Sequence, residues 1–274
     1  MPQLPEYARI RARGANDGPL MSDHFRTVGF TLERDELESL LQRAVDRGTL
    51  IEAPHGDYHV WTPGAGAELW VNMYRLGGRR KELAGVNPHF AGDARMNVIV
   101  EGVAPNAEFA LEGELYAWAS THGDEHGLYP FSASVPDFDA SLAARETPFR
   151  AVLAIAGFAH EFAWWPNEST YDEHLRTEPT AFAATSLVPL GLFGNNTGRA
   201  RSQAVVTGTI RASEARINPA TERAFRYVRI ETYGGELDIL ASPDVVAGEP
   251  PVGGVVRARC WLTARLVDDE RANP

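Results

Sequence analysis

The distribution of apolar and polar residues along the chain indicates one well-defined helix. In the segment DELESLLQRAVDRG, apolar residues recur at helical spacing along one stripe: Leu37, Leu40, Leu41, Ala44 and Val45. Asp35 with Glu38 suits a helix N-cap and its capping box, and Gly48 suits a left-handed residue after the last turn. The pattern therefore predicts an amphipathic helix between Asp35 and Gly48.

Strand-like segments surround this helix. The run HFRTVGF precedes it, TLIEAPHGDYHVW follows it, and the turn TPGAG leads into AELWVNMY. In this last run, the apolar positions from Ala67 to Met73 alternate with a more polar set from Glu68 to Tyr74, so the two sets face opposite sides. We expect a βαβββ-like unit over residues 24–75, within an N-terminal region 1–94, with Glu68 on the polar side of its sheet.

The rest of the chain is also strand-like. In a middle region, 95–176, RMNVIVEGV pairs with FALEGELYAWAS, FRAVLAIAGFAHEFAWW forms a long strand, and STYDEHLR forms a short helix with Ser169 as its N-cap. A connector rich in Pro, Gly and Asn spans residues 177–202. Alternation and Gly-rich turns in residues 203–274 predict a small barrel over 203–267. Its inner layer is expected to include Val206, Ile210, Val228, Ile230, Leu237, Ile239 and Trp261. The predicted fold class is α+β and β-rich.

Charge and composition narrow the range of partners. The 274 residues include 26 Lys and Arg against 37 Asp and Glu, a net charge of −11, which repels phosphate backbones. Residues 199–229 are locally basic, but on strands their arginines would point mostly to solvent, so we expect no nucleic-acid partner. No apolar run reaches membrane-spanning length, and the N-terminus lacks an apolar signal segment. Cys260 is the only cysteine and cannot form an internal disulfide. These features predict a cytoplasmic protein without membrane association.

Residues 24–75 resemble half of a vicinal-oxygen-chelate, or glyoxalase-like, domain. The resemblance rests on HFRTVGF as first strand, DELESLLQRAVDRG as helix and TPGAGAELWV as the turn into the last strand. In that family the first strand can supply a His ligand and the last strand a Glu ligand to a divalent metal ion. The resemblance therefore implies His24 and Glu68 as metal ligands. The alternative is that Glu68 is an acidic residue on the polar face of an ordinary sheet.

Residues 203–267 resemble an OB-like barrel, a fold that often binds oligonucleotides or sugars but implies no function by itself. Its binding face would need aromatic and basic side chains. Tyr227, Arg229 and Tyr233 share one strand face and are the ligand-binding candidates. Equally, this face could pack on the neighbouring region of the chain.

Other chemical signals are weaker. THGDEHG holds His122 and His126 at a spacing that suits zinc on a helix, but its glycines favour a solvated loop. His89 follows a proline in an expected turn, and His160 lies in an apolar strand where burial would perturb its pKa. No nucleophile motif or phosphate-binding loop is present in the sequence.

Two functional hypotheses follow from the sequence. The first is a non-catalytic binding or interaction module, without a cofactor, for an unknown small molecule or protein. The alternative is a divalent-metal-dependent enzyme of glyoxalase or dioxygenase-like type that uses His24 and Glu68.

Overall fold

The structure is a computed structural model that describes residues 21–31, 33–76, 81–106, 109–120, 127–178, 182–190 and 202–267. It confirms an α+β fold in which strands predominate. The helices are α1 (Met21–Arg26), α2 (Arg34–Arg47), α3 (Phe138–Ser141) and α4 (Glu168–Leu175). The strands are β1 (Thr49–Glu52), β2 (Gly56–Gly64), β3 (Ala67–Arg75), β4 (Lys81–Phe90), β5 (Met96–Pro105), β6 (Gly113–Ala119), β7 (Pro130–Val135), β8 (Phe149–Trp165), β9 (Ser186–Leu190), β10 (Gln203–Ile217), β11 (Ala224–Thr232), β12 (Gly235–Ala241) and β13 (Val255–Val267).

The strands of the described residues form two sheets. The smaller is antiparallel, with the order β1-β2-β3-β4. The larger is mixed, with the order β11-β12-β8-β5-β6-β7-β13-β10-β9, and extra pairings of β10 with β11 and of β8 with β13 close it. Two rings result, β8–β5–β6–β7–β13 and β8–β12–β11–β10–β13. The long strands β8 and β13 belong to both rings, which explains why they pair over their full length.

The hydrophobic core has two main parts. The inward faces of the two rings share one cluster, to which strands β5 to β8 and β10 to β13 all contribute. The second cluster lies between the outer face of the large sheet and the N-terminal elements α1, α2 and β3. The smaller sheet therefore covers the outside of the ring structure. None of the helices in the described ranges is long and apolar enough to cross a membrane.

The prediction of a first strand in HFRTVGF is wrong, because this segment contains the end of α1 and a turn. The helix ends in a Schellman motif, in which Phe30 N donates to Phe25 O at 2.9 Å and Gly29 N donates to Arg26 O at 3.0 Å. Gly29 has the left-handed φ of +73° that this motif requires. The run is short, and its apolar residues fit both the helical and the strand period, so the pattern alone does not distinguish a helix from a strand. The burial of Phe25, Val28 and Phe30 against the large sheet decides in favour of the helix and turn.

The helix predicted from DELESLLQRAVDRG is confirmed, but its ends differ from the prediction. The N-cap is Glu33, so the helix begins before Asp35, and Glu33 makes no side-chain capping bond. Gly48 is extended, with φ −71° and ψ 154°, rather than left-handed. A Cβ at this position would lie 2.4 Å from Ala44 O. The glycine is therefore needed for close backbone packing. In α4 the N-cap is Asn167, whose Oδ1 accepts from Thr170 N at 2.9 Å, and not Ser169.

Strand β4 lies where the sequence indicated a turn around His89. Pro88 is compatible with this strand because β4 is at the edge of the small sheet, where a missing N–H costs no pairing. As a result, His89 stands directly opposite Glu68 in the sheet.

The C-terminal strands do not form a self-contained barrel. They complete their ring only with β8, which comes from the middle region. The six aliphatic residues expected inside are confirmed there: Val206, Ile210, Val228, Ile230, Leu237 and Ile239. Trp261 was wrongly placed in this layer. It points outward, because its neighbours Cys260 and Leu262 occupy the inner positions of β13 and side chains alternate along a strand.

Candidate functional site

The polar face of β3 is buried, which was not expected. Glu68 is 5% exposed, and Trp70 and Asn72 are fully buried. Glu68 Oε2 accepts from Trp70 Nε1 at 3.0 Å, and Oε1 accepts from Thr62 Oγ1 at 3.4 Å. The alternation of β3 is confirmed, but Glu68 does not face water. A carboxylate in this position needs further partners of its own.

His89 is the first of these neighbours. Its Nδ1 lies 3.7 Å from Glu68 Oε2, and its side chain is 1% exposed. Burial, together with the positive charge of Arg265, lowers the pKa of His89 from 6.5 to about 3, so the ring is neutral near pH 7. Its Nε2 is buried and has no hydrogen-bond partner in the described part of the chain.

Arg265, near the end of β13, connects Glu68 to Asp137. Its Nη1 lies 3.8 Å from Glu68 Oε2, and its Nε lies 3.7 Å from Asp137 Oδ2. Both distances exceed a normal hydrogen bond. The guanidinium carbon is also 4.9 Å from the centre of the Trp70 ring, a cation–π contact. The arginine is thus held in place without close pairing to either carboxylate.

Several buried polar atoms around Arg265 lack a hydrogen-bond partner among the described residues. They are Arg265 Nε, Asp137 Oδ1, His89 Nε2 and Thr263 Oγ1. Burial raises the pKa of Asp137 although Arg265 opposes this shift, so the charged carboxylate is disfavoured. Such atoms are uncommon in folded proteins, and several of them in one place are typical of a site that binds water, an ion or a ligand.

Other buried polar groups beside the small sheet are mostly bonded. Glu112 Oε1 accepts from Asn87 Nδ2 at 2.7 Å and from Asn72 Nδ2 at 3.2 Å. Asp139 accepts from the backbone N–H of His55 at 2.8 Å and lies 2.7 Å from its Nδ1. Asn72 Oδ1 is the exception, since it has no hydrogen-bond partner in the described residues. Apart from that atom, these contacts form a structural polar network.

His24 lies elsewhere, on α1. Its ring stacks on Trp261 and its Nε2 is 3.1 Å from His160 Nε2. His24 contacts His160, Trp261 and Phe158 through its ring. Glu68 instead contacts Thr62, Trp70, His89 and Arg265. The structure therefore places the two metal-ligand candidates in separate clusters. Within the described ranges, no group of three or more His, Cys, Asp and Glu side chains is arranged to hold a metal ion.

The three candidates on β11 and its turn do not form an exposed binding platform. Tyr227 is buried, and its hydroxyl donates to Asp238 Oδ1 at 2.9 Å. The guanidinium of Arg216 covers its ring at 3.8 Å. Arg229 is half-buried, with Glu236 at 3.9 Å, and only Tyr233 is exposed. This face packs on the N-terminal region through Tyr227, which was the alternative considered from the sequence.

A surface pocket of about 340 Å³ lies between β8, β10, β13 and the segment after α4. Two of its lining residues, Arg257 and Arg259, carry positive charge. Arg257 donates to both oxygens of Glu178 at 2.9 and 3.3 Å, and Arg259 donates to Glu161 at 3.4 Å. Both arginines thus have a carboxylate partner, although Arg259 Nε is buried and without a hydrogen-bond partner in the described residues.

Comparisons of this chain with protein-family models, with curated proteins and with solved structures find no match. Glu68 was named from the sequence, whereas Asp137 and Arg265 were missed and His89 was assigned to a turn. Arg265 stands between Ala264 and Leu266 near the end of a long apolar strand, which is a faint signal for an unusual position. His122 and His126 lie outside the described residues.

Proposed function

We propose that the protein is a non-catalytic binding protein that holds a small hydroxy acid at Arg265. The observation that carries this proposal is the arginine itself. Its Nε is buried and has no hydrogen-bond partner in the described residues. The nearest oxygens of Glu68 and Asp137 lie 3.8 and 3.7 Å from its guanidinium nitrogens. A guanidinium presents planar donors that match the two oxygens of a carboxylate. The ligand's carboxylate would complete the bonding of Arg265.

The remaining unpaired atoms favour a ligand that also carries a hydroxyl group. Asp137 Oδ1 can accept a hydrogen bond from it, and Thr263 Oγ1 can donate to a ligand oxygen. Arg265 is 32% exposed, so the cluster can be reached from solvent. The Trp70 ring holds the guanidinium in place through the cation–π contact.

Binding without chemistry is supported by the groups present. Ser141 lies beside Asp137, but its hydroxyl donates to the backbone oxygen of Asp137 at 3.0 Å. Cys260 is buried, and its apolar surroundings raise the pKa of its thiol. The alternative metal-dependent enzyme required His24 and Glu68 to share one ion, and they lie in separate clusters.

The test is ligand binding by the full chain, measured by calorimetry and by thermal unfolding. Glycolate and lactate represent hydroxy acids, acetate and propionate lack the hydroxyl group, and glycerol lacks the carboxylate. A ligand at a hundred times its Kd should raise the Tm by roughly 5–10 °C. We expect this rise in Tm for glycolate and lactate. We also expect that the added acid is recovered chemically unchanged after incubation with the protein.

Two variants make the test specific. Arg265→Gln should abolish binding, whereas Arg211→Gln should not, because Arg211 is an exposed residue of β10 that pairs with Glu231. Binding that persists in Arg265→Gln, or equal binding of acids with and without the hydroxyl group, would contradict the proposal. Conversion of the ligand during incubation would contradict its non-catalytic part.

A further inference from the structure

Two histidines from distant parts of the chain meet on the outer face of the large sheet. His24 on α1 and His160 on β8 are 136 positions apart in sequence, and their Nε2 atoms are 3.1 Å apart. Trp261 stacks on the His24 ring at a centroid distance of 4.4 Å and an angle of 11°. Phe158 contacts the same ring edge-on at 6.3 Å. The position of the His24 ring is thus fixed by aromatic packing on two strands.

His160 lies on the outward face of β8 and begins a β-bulge. Ala156 and Phe158 pack in the outer cluster and Ala159 in the inner one, so alternation places His160 outward. In the pairing of β8 with β13, Arg259 stands opposite Glu161, and Cys260 stands opposite Ala159. His160 is therefore the extra residue between two ladder positions. Bulges are frequent next to functional sites.

The contact geometry fits two ligands of one metal ion. Imidazole nitrogens bind zinc at about 2.0–2.1 Å, so a separation of 3.1 Å corresponds to an N–metal–N angle of about 100°. The ring centroids are 4.8 Å apart. If both nitrogens pointed straight at each other, this distance would be about 5.4 Å, so at least one ring points away from the line between them. The two Nε2 lone pairs can therefore point to a common third position, where a metal ion would lie.

The pair of histidines is open to ions from solution. Both histidines remain partly accessible to solvent.

We propose that His24 and His160 together bind one divalent ion of the later first-row transition metals, such as Zn²⁺, Ni²⁺ or Cu²⁺. These ions favour imidazole ligands. Water or a small exogenous ligand completes the coordination, because the described part of the chain supplies two ligands here and no group of three. The ion links α1 to β8 and thereby secures the N-terminal elements on the rings. This site is separate from the Arg265 cluster and does not depend on it.

The test uses the full chain without an affinity tag, stripped of metal by a chelator. Zinc chloride is added in a calorimetric titration at pH 7.5, and copper chloride is followed by its visible absorption. We expect saturable binding of one ion per chain and a higher Tm in its presence. His24→Gln and His160→Gln should each weaken binding by at least about tenfold.

The matched control is His55→Gln, since His55 is an exposed histidine beside Asp139 and tests incidental surface binding. It should leave the affinity unchanged. Histidine side-chain NMR of the wild type avoids any folding defect of the variants, because zinc should shift the resonances of His24 and His160 together. Absence of saturable binding, binding that survives either substitution, or zinc-insensitive resonances of these two residues would overturn the proposal.

Discussion

Ile230→Ala tests whether the inner layer of the C-terminal ring is a packed core. Ile230 lies on β11 and is fully buried. It stands opposite Ile210 on β10 and Leu237 on β12, and both neighbours are also fully buried. Packing around it is close, since a Cβ built on Gly208 would lie 3.0 Å from Ile230 Cδ1. The surrounding side chains therefore have little freedom to fill a cavity.

The magnitude follows from the atoms removed. The substitution deletes three carbon atoms, each worth about 0.8 kcal/mol of transfer free energy, so the transfer contribution is about 2.4 kcal/mol. The cavity that remains adds to this cost, because strands on both sides hold the site open. We expect the free energy of unfolding to fall by about 2–4 kcal/mol.

Equilibrium unfolding in urea measures the change, and Ile217→Ala is the matched control. Ile217 is the last residue of β10 and is 61% exposed, so its substitution should change stability by less than about 0.5 kcal/mol. If Ile230→Ala also cost less than about 0.5 kcal/mol, the assignment of inner and outer faces to β11 would be refuted. A cost of similar size at Ile217 would show that the two variants report something other than burial.

Two further predictions concern buried polar groups. Because the pKa of His89 is about 3 when folded and 6.5 when unfolded, its contribution to stability is present above pH 6.5 and lost as the pH falls towards 3. Urea unfolding measures the free energy of unfolding at pH 7 and pH 5, and we expect this free energy to fall less in His89→Gln than in the wild type. The difference should be about 1.4 kcal/mol for each pH unit below 6.5. An equal fall in both proteins would contradict burial of the neutral ring. Tyr227→Phe should cost about 1–3 kcal/mol, because it removes a hydrogen bond to buried Asp238, while Tyr233→Phe at an exposed position should cost nothing measurable.

Much of the fold follows from local pattern. The helical stripe from Leu37 to Val45 predicts α2, and alternation predicts β3, β5, β8 and the C-terminal strands. The assignment of Val206, Ile210 and Val228 to the inner layer also comes from alternation alone. These features are predictable because the side-chain periods of helices and strands are fixed by backbone geometry.

The candidate site could be predicted only in part. Glu68 stood out because an acidic residue follows a Gly-rich turn in an otherwise apolar strand. Asp137 and Arg265 gave no comparable signal, since each is an ordinary polar residue near the end of a strand. Their proximity depends on the pairing of β7 with β13 and on the covering of that region by the small sheet.

The sequence by itself determined the β-rich class, the amphipathic helix and the facing of most strands. Tertiary structure decided three other features: the closure of two rings through β8 and β13, the burial of the polar face of β3, and the meeting of His24 with His160. The physical reason is that the spacing of apolar residues indicates only which residues share a face of a helix or strand. Which partner then covers that face depends on contacts between segments far apart in the sequence, such as His24 and His160 at a separation of 136 positions, and no local pattern encodes them.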